Sequence, residues 1–460
     1  MPNVTEPPVA PHSEDPSSNA LATQAASRYR WSVVFMLWFV CLFNYADRQA
    51  VFSVFPKLQL DLHFDKFQLG LIGSAFMWVY AAGAPFAGYI ADRMRRKDLI
   101  LGGCLFWSSI TITTGWCSKI WQFVMVRALE GVGETFYFPA SMSLMSDYHG
   151  KTTRSRALAF HQSSVYVGTI AGSWIGAIIA EKYNWRYGFY LFGALGMVLA
   201  MVLYRTLKEP VRGGLDNDPS TSEGASGETV EAHGMHVTAS PSHTNKSSSF
   251  SFMLKPTVIL LMLAFLLANL VATVFLTWTP TYLVEKFHFK LSAAGLSAAV
   301  YIQVASAIAV PLAGLLADRL AQRMRAGRIV VQAMGLLVGA SFVAIVGSTT
   351  GIPILITAMI AFGFCKGFYD SGIFASLFDS VAPAERGAAA GLMNTVGWGG
   401  GALGPLIVGW VSKHGEYGSE MANMSHAITF GGLIYVMGAA LLIAAAITAT
   451  RERPLQSLAA

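Results

Sequence analysis

The sequence predicts an all-α membrane protein with twelve transmembrane helices in two pseudo-symmetric six-helix bundles. Of its 460 residues, 54% are hydrophobic and only 13% are charged, whereas a soluble protein carries about 25% charged residues. A transmembrane helix needs about 20 mostly apolar residues, and the run from Val258 to Trp278 alone reaches that length. The apolar content and the long apolar runs together exclude an ordinary soluble domain.

Apolar runs and the breakers between them predict six spans on either side of a polar segment. The spans lie near 31–55, 67–92, 98–118, 121–147, 156–180, 186–206, 253–282, 292–317, 328–348, 352–380, 387–411 and 426–450. The bundles therefore occupy 31–206 and 252–450. Residues 207–251 have too little apolar surface to fold, so we expect a disordered linker there. We expect a disordered tail over residues 1–30, without a signal peptide, and a second tail over 451–460.

Basic residues are concentrated in the loops on one side of the predicted bundle, as in Arg93 to Lys97 and Arg319 to Arg328. The positive-inside rule assigns such loops to the cytoplasm. We therefore expect cytoplasmic termini, a cytoplasmic linker and a place in the cell's inner (plasma) membrane. The same rule accounts for the net charge of +6, so we expect no nucleic-acid partner.

The sequence shows no pattern typical of metal binding, nucleotide binding or catalysis. The four cysteines have no metal-type spacing and are predicted to be core residues: Cys41, Cys104, Cys117 and Cys365. We find no nucleotide-binding loop, metal cluster or catalytic triad in the sequence, and we expect neither enzyme activity nor a cofactor.

The two halves of the chain repeat each other. Matching residues recur in order at nearly constant offsets: Asn44 and Asn269 (225), Gly70 and Gly295 (225), Gly88 and Gly314 (226), Asp147 and Asp379 (232), and Arg154 and Arg386 (232). Parallel repeats of six spans imply a pseudo-twofold axis along the membrane normal and a binding site between the halves.

Four ionisable residues interrupt two otherwise apolar spans: Asp47 and Arg48 in the first, Arg127 and Glu134 in the fourth. A charge at such a depth costs about 3 kcal/mol or more and usually has a function. Arg127 and Glu134 share a helix face, roughly 10 Å apart. The adjacent Asp47 and Arg48 point about 100° apart, so we expect Asp47 to pair with an arginine while Arg48 faces the cavity.

This quartet is neutral when all four members are ionised. Protonation of Asp47 and Glu134 would leave two guanidiniums, which are planar, bidentate donors suited to a carboxylate. Proton binding would then favour anion binding, and the reverse. The alternative is a lock between the first and fourth spans, but burying two ion pairs is an inefficient way to gain stability. The pattern is a physical basis for symport of protons with an anion.

Two motifs resemble those of a transporter family. G-Y-I-A-D-R-M-R-R-K at 88–97 is similar to a loop signature of the major facilitator superfamily, with Arg95 where glycine is usual, and R-A-L-E-G-V-G from Arg127 is similar to its fourth-helix pattern. The motifs N-Y-A-D-R (44–48) and R-x-x-x-G-x-G-E (127–134) resemble those of the anion:cation symporters, which include sugar-acid carriers. Spinster-like transporters of lysolipids have similar motifs and are the alternative.

The resemblance implies the major facilitator fold and secondary active transport by alternating access. It implies that Arg48 and Arg127 bind the substrate carboxylate while Asp47 and Glu134 carry protons, the coupling ion. It adds further candidate substrate contacts: Tyr45, Tyr80, Gln162 and Asn394. Each of these has an alternative role in an aromatic belt or in a helix–helix hydrogen bond. The expected partners are a small anionic substrate and the lipid bilayer, and we expect a monomer.

The loop signature also predicts a gate. Asp92 is expected to meet the N-terminus of the eleventh span, because a helix dipole favours an anion there. Arg93, Arg96 or Arg156 are expected to add ion pairs with Asp147 that close the cytoplasmic side. The alternative is that these charges only determine the orientation of the chain in the membrane.

Three more polar residues lie within the spans. His161 is close to the cytoplasmic end of its span, so we expect a solvated or capping side chain. Lys366 and Asp370 are four residues apart and are expected to form an ion pair on one helix face. Neither residue has a counterpart in the sugar-acid carriers. We nevertheless expect the second half to determine most of the substrate specificity.

Overall fold

The computed structural model describes residues 16–91, 93–210 and 250–451, and it describes their side chains from residue 28 onward except at 151, 250, 251 and 384. These residues are almost entirely helical and include no strand. The helices are α1 (Pro16–Ser53), α2 (Phe55–Leu62), α3 (Lys66–Ala91), α4 (Arg96–Thr114), α5 (Ile120–Thr135), α6 (Tyr137–Tyr148), α7 (Lys151–Lys182), α8 (Trp185–Thr206), α9 (Pro256–Phe287), α10 (Leu291–Arg323), α11 (Gly327–Ser348), α12 (Ile352–Asp370), α13 (Ile373–Ser380), α14 (Arg386–His414) and α15 (Glu420–Arg451). Short 3₁₀ turns occur at Phe250–Leu254 and Pro383–Glu385.

Within the described ranges these helices form the twelve predicted spans. The pair α5 and α6 makes one span broken at Phe136, the pair α12 and α13 makes another broken at Ser371 and Gly372, and α2 is a short helix after the first span. Nine of the described helical segments are long and apolar enough to cross a membrane by length and composition alone. The predicted fold class is confirmed.

The first span begins earlier than expected. Helix α1 starts at Pro16, so the prediction of a disordered tail is wrong for residues 16–30. Proline fits the first turn of a helix, and the alanine-rich stretch 20–26 favours the helical state. The rest of the predicted N-terminal tail, the linker from 211 to 249 and the final residues from 452 lie outside the described residues.

The repeat extends to individual contacts. Arg96 at the start of α4 forms an ion pair with Asp147 at the end of α6. Arg328 and Asp379, each 232 residues later, form the corresponding ion pair in the second half, with Nη1 2.8 Å from Oδ2. The broken fourth and tenth spans also correspond to each other.

Glycines bring the helices of the first half close together. A Cβ added to Gly172 of α7 would lie 2.1 Å from the carbonyl oxygen of Ala46 on α1, and one added to Gly131 of α5 would lie 2.7 Å from the carbonyl oxygen of Phe76 on α3. Such contacts hold α7 against α1 and α5 against α3. The four cysteines are buried and free, as predicted.

The two halves touch at the end of the bundle away from the linker, which we call the far end. There Gln49 donates from Nε2 to the carbonyl oxygen of Leu276 at 2.8 Å, and Ser173 donates from Oγ to the carbonyl oxygen of Gly295 at 2.7 Å. At the linker end, a Cβ added to Gly88, Gly387 or Gly391 would meet nothing within 4 Å. The space between the halves therefore opens toward the linker end.

Candidate functional site

Five charged side chains, not four, meet inside the first half. Asp47 and Arg48 come from α1, and Arg127, Glu130 and Glu134 come from α5; each is at most 7% exposed. One oxygen from each of the three carboxyl groups lies within 4.8 Å of the others. We call these five residues the charged cluster. Its position in a bilayer-spanning bundle identifies it as the candidate site.

Two ion pairs divide the charged cluster. Arg48 contacts Oε2 of Glu134 through Nη2 and through Nε, the latter at 3.1 Å, and its Nη2 donates to Oδ1 of Asn44 at 3.3 Å. Arg127 pairs with Glu130, three residues along the same helix. The four predicted charged residues thus lie in one site, but Arg127 forms its ion pair with Glu130 of its own helix.

Asp47 forms no ion pair with either arginine in the described structure, so the expected Asp47–arginine pair is wrong. Its carboxylate Oδ2 lies 3.2 Å from Oγ1 of Thr111 on α4. The same Oγ1 lies 3.3 Å from Oε1 of Glu130 and 2.9 Å from the carbonyl oxygen of Trp107. A hydroxyl donates only one proton. While it donates to the carbonyl oxygen of Trp107, Asp47 or Glu130 can hydrogen-bond to Oγ1 only if its own carboxyl group is protonated.

The additional carboxyl group changes the charge balance. Three carboxylates and two guanidiniums leave one negative charge when all five are ionised, in place of the neutral quartet that the sequence suggested. Glu130 was recognisable from its spacing of three after Arg127, which places both on one helix face. A metal ion bound by the three carboxylates would compete with two guanidiniums for the same oxygens.

Several polar atoms of the charged cluster are buried without a hydrogen-bond partner among the described residues. They include the donors Nε and Nη2 of Arg127 and Nη1 of Arg48, and the acceptors Oδ1 of Asp47 and Oε1 of Glu134. Buried polar groups usually find partners because leaving them unpaired is costly. The site is thus able both to donate to an anion and to accept protons.

Aromatic rings surround the guanidinium of Arg48. Its Cζ lies 4.6 Å from the ring centroid of Tyr45, 4.4 Å from that of Phe76, 5.6 Å from that of Tyr80 and 5.4 Å from that of Trp398. These distances fit cation–π contacts. Trp398 belongs to α14, so this box of rings joins the charged cluster to the second half.

Only some of the predicted substrate-binding residues lie beside the charged cluster. Tyr45 and Tyr80 lie beside Arg48, whereas Trp398 and Phe76 were not predicted. Asn394 is one helical turn before Trp398 and half-buried, so it shares the face of α14 that reaches the site. Gln162 is half-buried on α7, and the described structure gives it no hydrogen bond to the charged cluster.

His161 is not solvated, and that expectation is wrong. Its side chain is fully buried, with Nε2 2.9 Å from the hydroxyl of Tyr137. This hydroxyl donates to the carbonyl oxygen of Leu37 at 2.8 Å, so the imidazole Nε2–H donates to it. The first-half core encloses this end of α7, and Nδ1 has no hydrogen-bond partner among the described residues.

Of the expected gate contacts, one forms within the first half. Arg96 is 2% exposed and pairs with Asp147, and its Nε lies 3.0 Å from Oε1 of Glu209. All three residues belong to the same half or its end, so in this open state the pair fixes one bundle and does not join the two.

The other gate residues lie elsewhere. Arg93 stacks on Tyr89, with Cζ 3.4 Å from the ring centroid, and pairs with no acid in the described structure. Arg156 is exposed and also has no ion pair to Asp147 there. Asp92 lies outside the described residues.

The second half contributes a charged pair of its own. Lys366 and Asp370 on α12 form the expected ion pair, with side chains 17% and 32% exposed. Tyr166 of α7, in the first half, interacts electrostatically with both.

Comparison with known proteins gives a consistent picture. The sequence model of the Major Facilitator Superfamily matches residues 37–405 and 303–458. The chain is 27% identical over 398 residues to "Probable anion transporter 4, chloroplastic" of Oryza sativa subsp. japonica, a match spanning 85% of this chain and 65% of that protein. It is 26% identical over 396 residues to "Probable galactarate/D-glucarate transporter GudP" of Bacillus subtilis (strain 168), spanning 83% of this chain and 85% of that protein.

Spinster proteins are similar as well. "Protein spinster homolog 1" of Xenopus tropicalis is 32% identical over 203 residues, which is 43% of this chain and 38% of that protein. A crystal structure of a bacterial homolog to the human lysosomal transporter Spinster, inward-facing and unoccupied, has a TM-score of 0.76 at 19% identity. It covers 92% of this chain and 98% of its own. At that identity the likeness shows the fold.

Proposed function

This chain belongs to the Major Facilitator Superfamily, and we propose that it is a proton-coupled importer of a small organic anion such as a sugar acid. It is a multi-pass membrane transporter, and the finer assignment depends on one observation. Three buried carboxyl groups share a site with two guanidiniums, and both guanidiniums have N–H groups without a partner in the part of the chain that the structure describes. This combination suits the binding of both a proton and an anion.

Protonation makes the charged cluster receptive to an anion. With all five groups ionised, the buried site carries one excess negative charge, which repels a carboxylate. One proton, on Asp47, Glu130 or Glu134, makes the cluster neutral. A second proton on Glu134 weakens its ion pair with Arg48. A substrate carboxylate then takes the place of Glu134 beside Arg48, and the added proton and anion together leave the cluster neutral. Proton and anion thus bind cooperatively.

The same residues suit recognition of a carboxylate that carries hydroxyl groups. Nε and Nη2 of Arg127 are adjacent donors, the geometry that grips a carboxylate with two hydrogen bonds. The rings of Tyr45 and Tyr80 flank Arg48 and restrict how a ligand approaches it. Asn394 and Gln162 are proposed contacts for hydroxyl groups further along the substrate.

Alternating access would expose this site first to one side of the membrane and then to the other. The basic loops support a cytoplasmic linker and termini, in which case the opening at the linker end is the inward side. We propose a plasma-membrane location, a monomer and no cofactor other than the transported proton. Closure of the linker end would bring Asp92 to the start of α14, with Arg93, Arg96, Asp147 and Arg156 as further gate residues.

The test is uptake into proteoliposomes with an imposed pH gradient, using a panel of labelled sugar acids. We expect accumulation when the outside is acidic and its loss in Asp47→Asn and Glu134→Gln. Asp98→Asn is the matched control, because Asp98 is exposed at the start of α4. Arg127→Ala should weaken anion binding at least tenfold, since hydrogen bonds to charged groups contribute about 1.5–3 kcal/mol. Gradient-driven uptake that survives both acid substitutions would refute proton coupling.

A Spinster-like carrier of amphiphiles is the second candidate. Four aromatic rings around Arg48 would suit a ligand with an anionic head and an apolar body. The same vesicles with labelled lysolipid discriminate the two functions. Lysolipid movement without sugar-acid uptake would favour this candidate over the first.

A further inference from the structure

We propose that Lys366 is a second anion-binding residue, across the cavity from Arg48 and Arg127, and that the substrate is therefore a dianion with an anionic group at each end. This inference rests on the proposed function, because it assigns the substrate class of the same transport site. It concerns a residue of the second half that the sugar-acid motifs did not include.

The repeat gives Lys366 its position. Counted from Ile120 and Ile352, Glu134 and Lys366 are both the fifteenth residue of their spans, and both precede the break in the span. A pseudo-twofold axis along the membrane normal relates equivalent residues at equal depth. Lys366 therefore lies opposite Glu134 at the same depth and faces the same central space. The equivalent positions carry opposite charges.

An electrostatic interaction with the first half supports this orientation. Tyr166 of α7 interacts electrostatically with both Lys366 and Asp370. Helix α7 belongs to the first half and α12 to the second, so this interaction acts across the boundary between the halves. The side chain of Lys366 is 17% exposed and that of Asp370 is 32% exposed, so both reach unfilled space. Nearby, the buried hydroxyl of Tyr435 has no hydrogen-bond partner in the described structure.

The chemistry resembles that of the charged cluster. Lys366 is held by a carboxylate one turn away on its own helix, just as Arg127 is held by Glu130. Such a counter-ion keeps the cation neutralised until a ligand anion displaces it. A substrate with one anionic group would engage the arginines and leave the Lys366–Asp370 pair intact. A substrate with a second anionic group gains a further charge-assisted contact.

The test compares two ligands on one carbon skeleton: a six-carbon sugar acid with one carboxylate, and the corresponding diacid. Affinities are measured by calorimetry on purified full-length protein. Lys366→Gln should weaken diacid binding at least tenfold, because it removes a charge-assisted hydrogen bond to the second carboxylate, and change monoacid binding less than twofold. Lys366→Arg should retain most of the diacid affinity. Asp370→Asn, which removes the competing carboxylate, should preserve or increase it.

The outcomes separate the two proposals. If the wild type binds both acids and Lys366→Gln weakens them equally or not at all, the dianion proposal is wrong while anion transport stands. Loss of diacid affinity in Asp370→Asn would also contradict it, since that variant retains the cation. If the wild type binds neither acid under acidic conditions, the proposed function fails and this inference falls with it.

Discussion

Lys66 in the first half forms an ion pair with Glu285 in the second, with Nζ 2.7 Å from Oε2. The lysine is 2% exposed although it begins a membrane helix, and its Nζ also lies 3.3 Å from Oε2 of Glu420. Nearby, Nζ of Lys413 lies 2.7 Å from Oδ2 of Asp65. All these pairs join the two halves at the far end, so they must separate when the far end opens.

Lys66→Met should therefore favour the state that is open at the far end. Loss of a buried, charge-assisted contact removes about 1.5–3 kcal/mol, which corresponds to at least a tenfold change in the ratio of the two states. Distances between spin labels placed on either side of the far end would report this ratio. Lys66→Arg, which keeps a positive charge between Glu285 and Glu420, is the control and should retain much of the closed population. An unchanged ratio in Lys66→Met would show that the ion pair does not contribute to closure.

The Asp65–Lys413 pair should not give pH dependence near neutrality. Partial burial opposes ionisation of Asp65, but the hydrogen bonds from Lys413 and from the backbone of Gln68 outweigh it and lower the pKa of this carboxyl group. A lowered pKa keeps the pair intact at neutral pH and loses it only as the pH falls below about 4. Asp65→Asn should thus favour far-end opening while the pH profile of uptake between 6 and 8 stays unchanged. A shifted profile would assign Asp65 to proton coupling.

Glu130 should control how strongly anion affinity depends on pH. In the wild type, three carboxylates oppose two guanidiniums, so affinity should fall as the pH rises and the protons leave. Glu130→Gln removes the excess negative charge and loosens Arg127. Its affinity should exceed that of the wild type at high pH, by about tenfold for one removed repulsion of about 1.4 kcal/mol, and should depend less on pH. Titration of binding from pH 5 to 9 measures both, with Glu130→Asp as the charge-retaining control. Parallel curves for Glu130→Gln and the wild type would exclude this role.

The sequence predicted the spans and the charged helices well because both depend on local information. Apolar length fixes a span, and spacing fixes which residues share a helix face. Pairing within the charged cluster depends on tertiary packing. Asp47 was wrongly expected to pair with an arginine, because Glu130 pairs with Arg127 and the group beside the Asp47 carboxylate is the hydroxyl of Thr111. His161 was misplaced for the same reason, because its burial depends on α1 and α6 lying over it. The aromatic box required Trp398 of α14, which no local pattern connects to Arg48.

Gly172 should be far less tolerant of a methyl group than a helical glycine in open space. In Gly172→Ala the new Cβ would lie 2.1 Å from the oxygen and 2.4 Å from the Cα of Ala46, and backbone atoms cannot rotate away. Overpacking of this kind costs about 1–3 kcal/mol, and the displaced segment of α1 also carries Asp47 and Arg48, so uptake should fall too. Gly102→Ala is the matched control, since its Cβ would meet nothing within 4 Å and replacing glycine in a helix interior stabilises by about 0.5–1 kcal/mol. Thermal unfolding in detergent should therefore shift in opposite directions for the two variants. Equal shifts would mean that α1 and α7 are not packed as closely as the structure indicates.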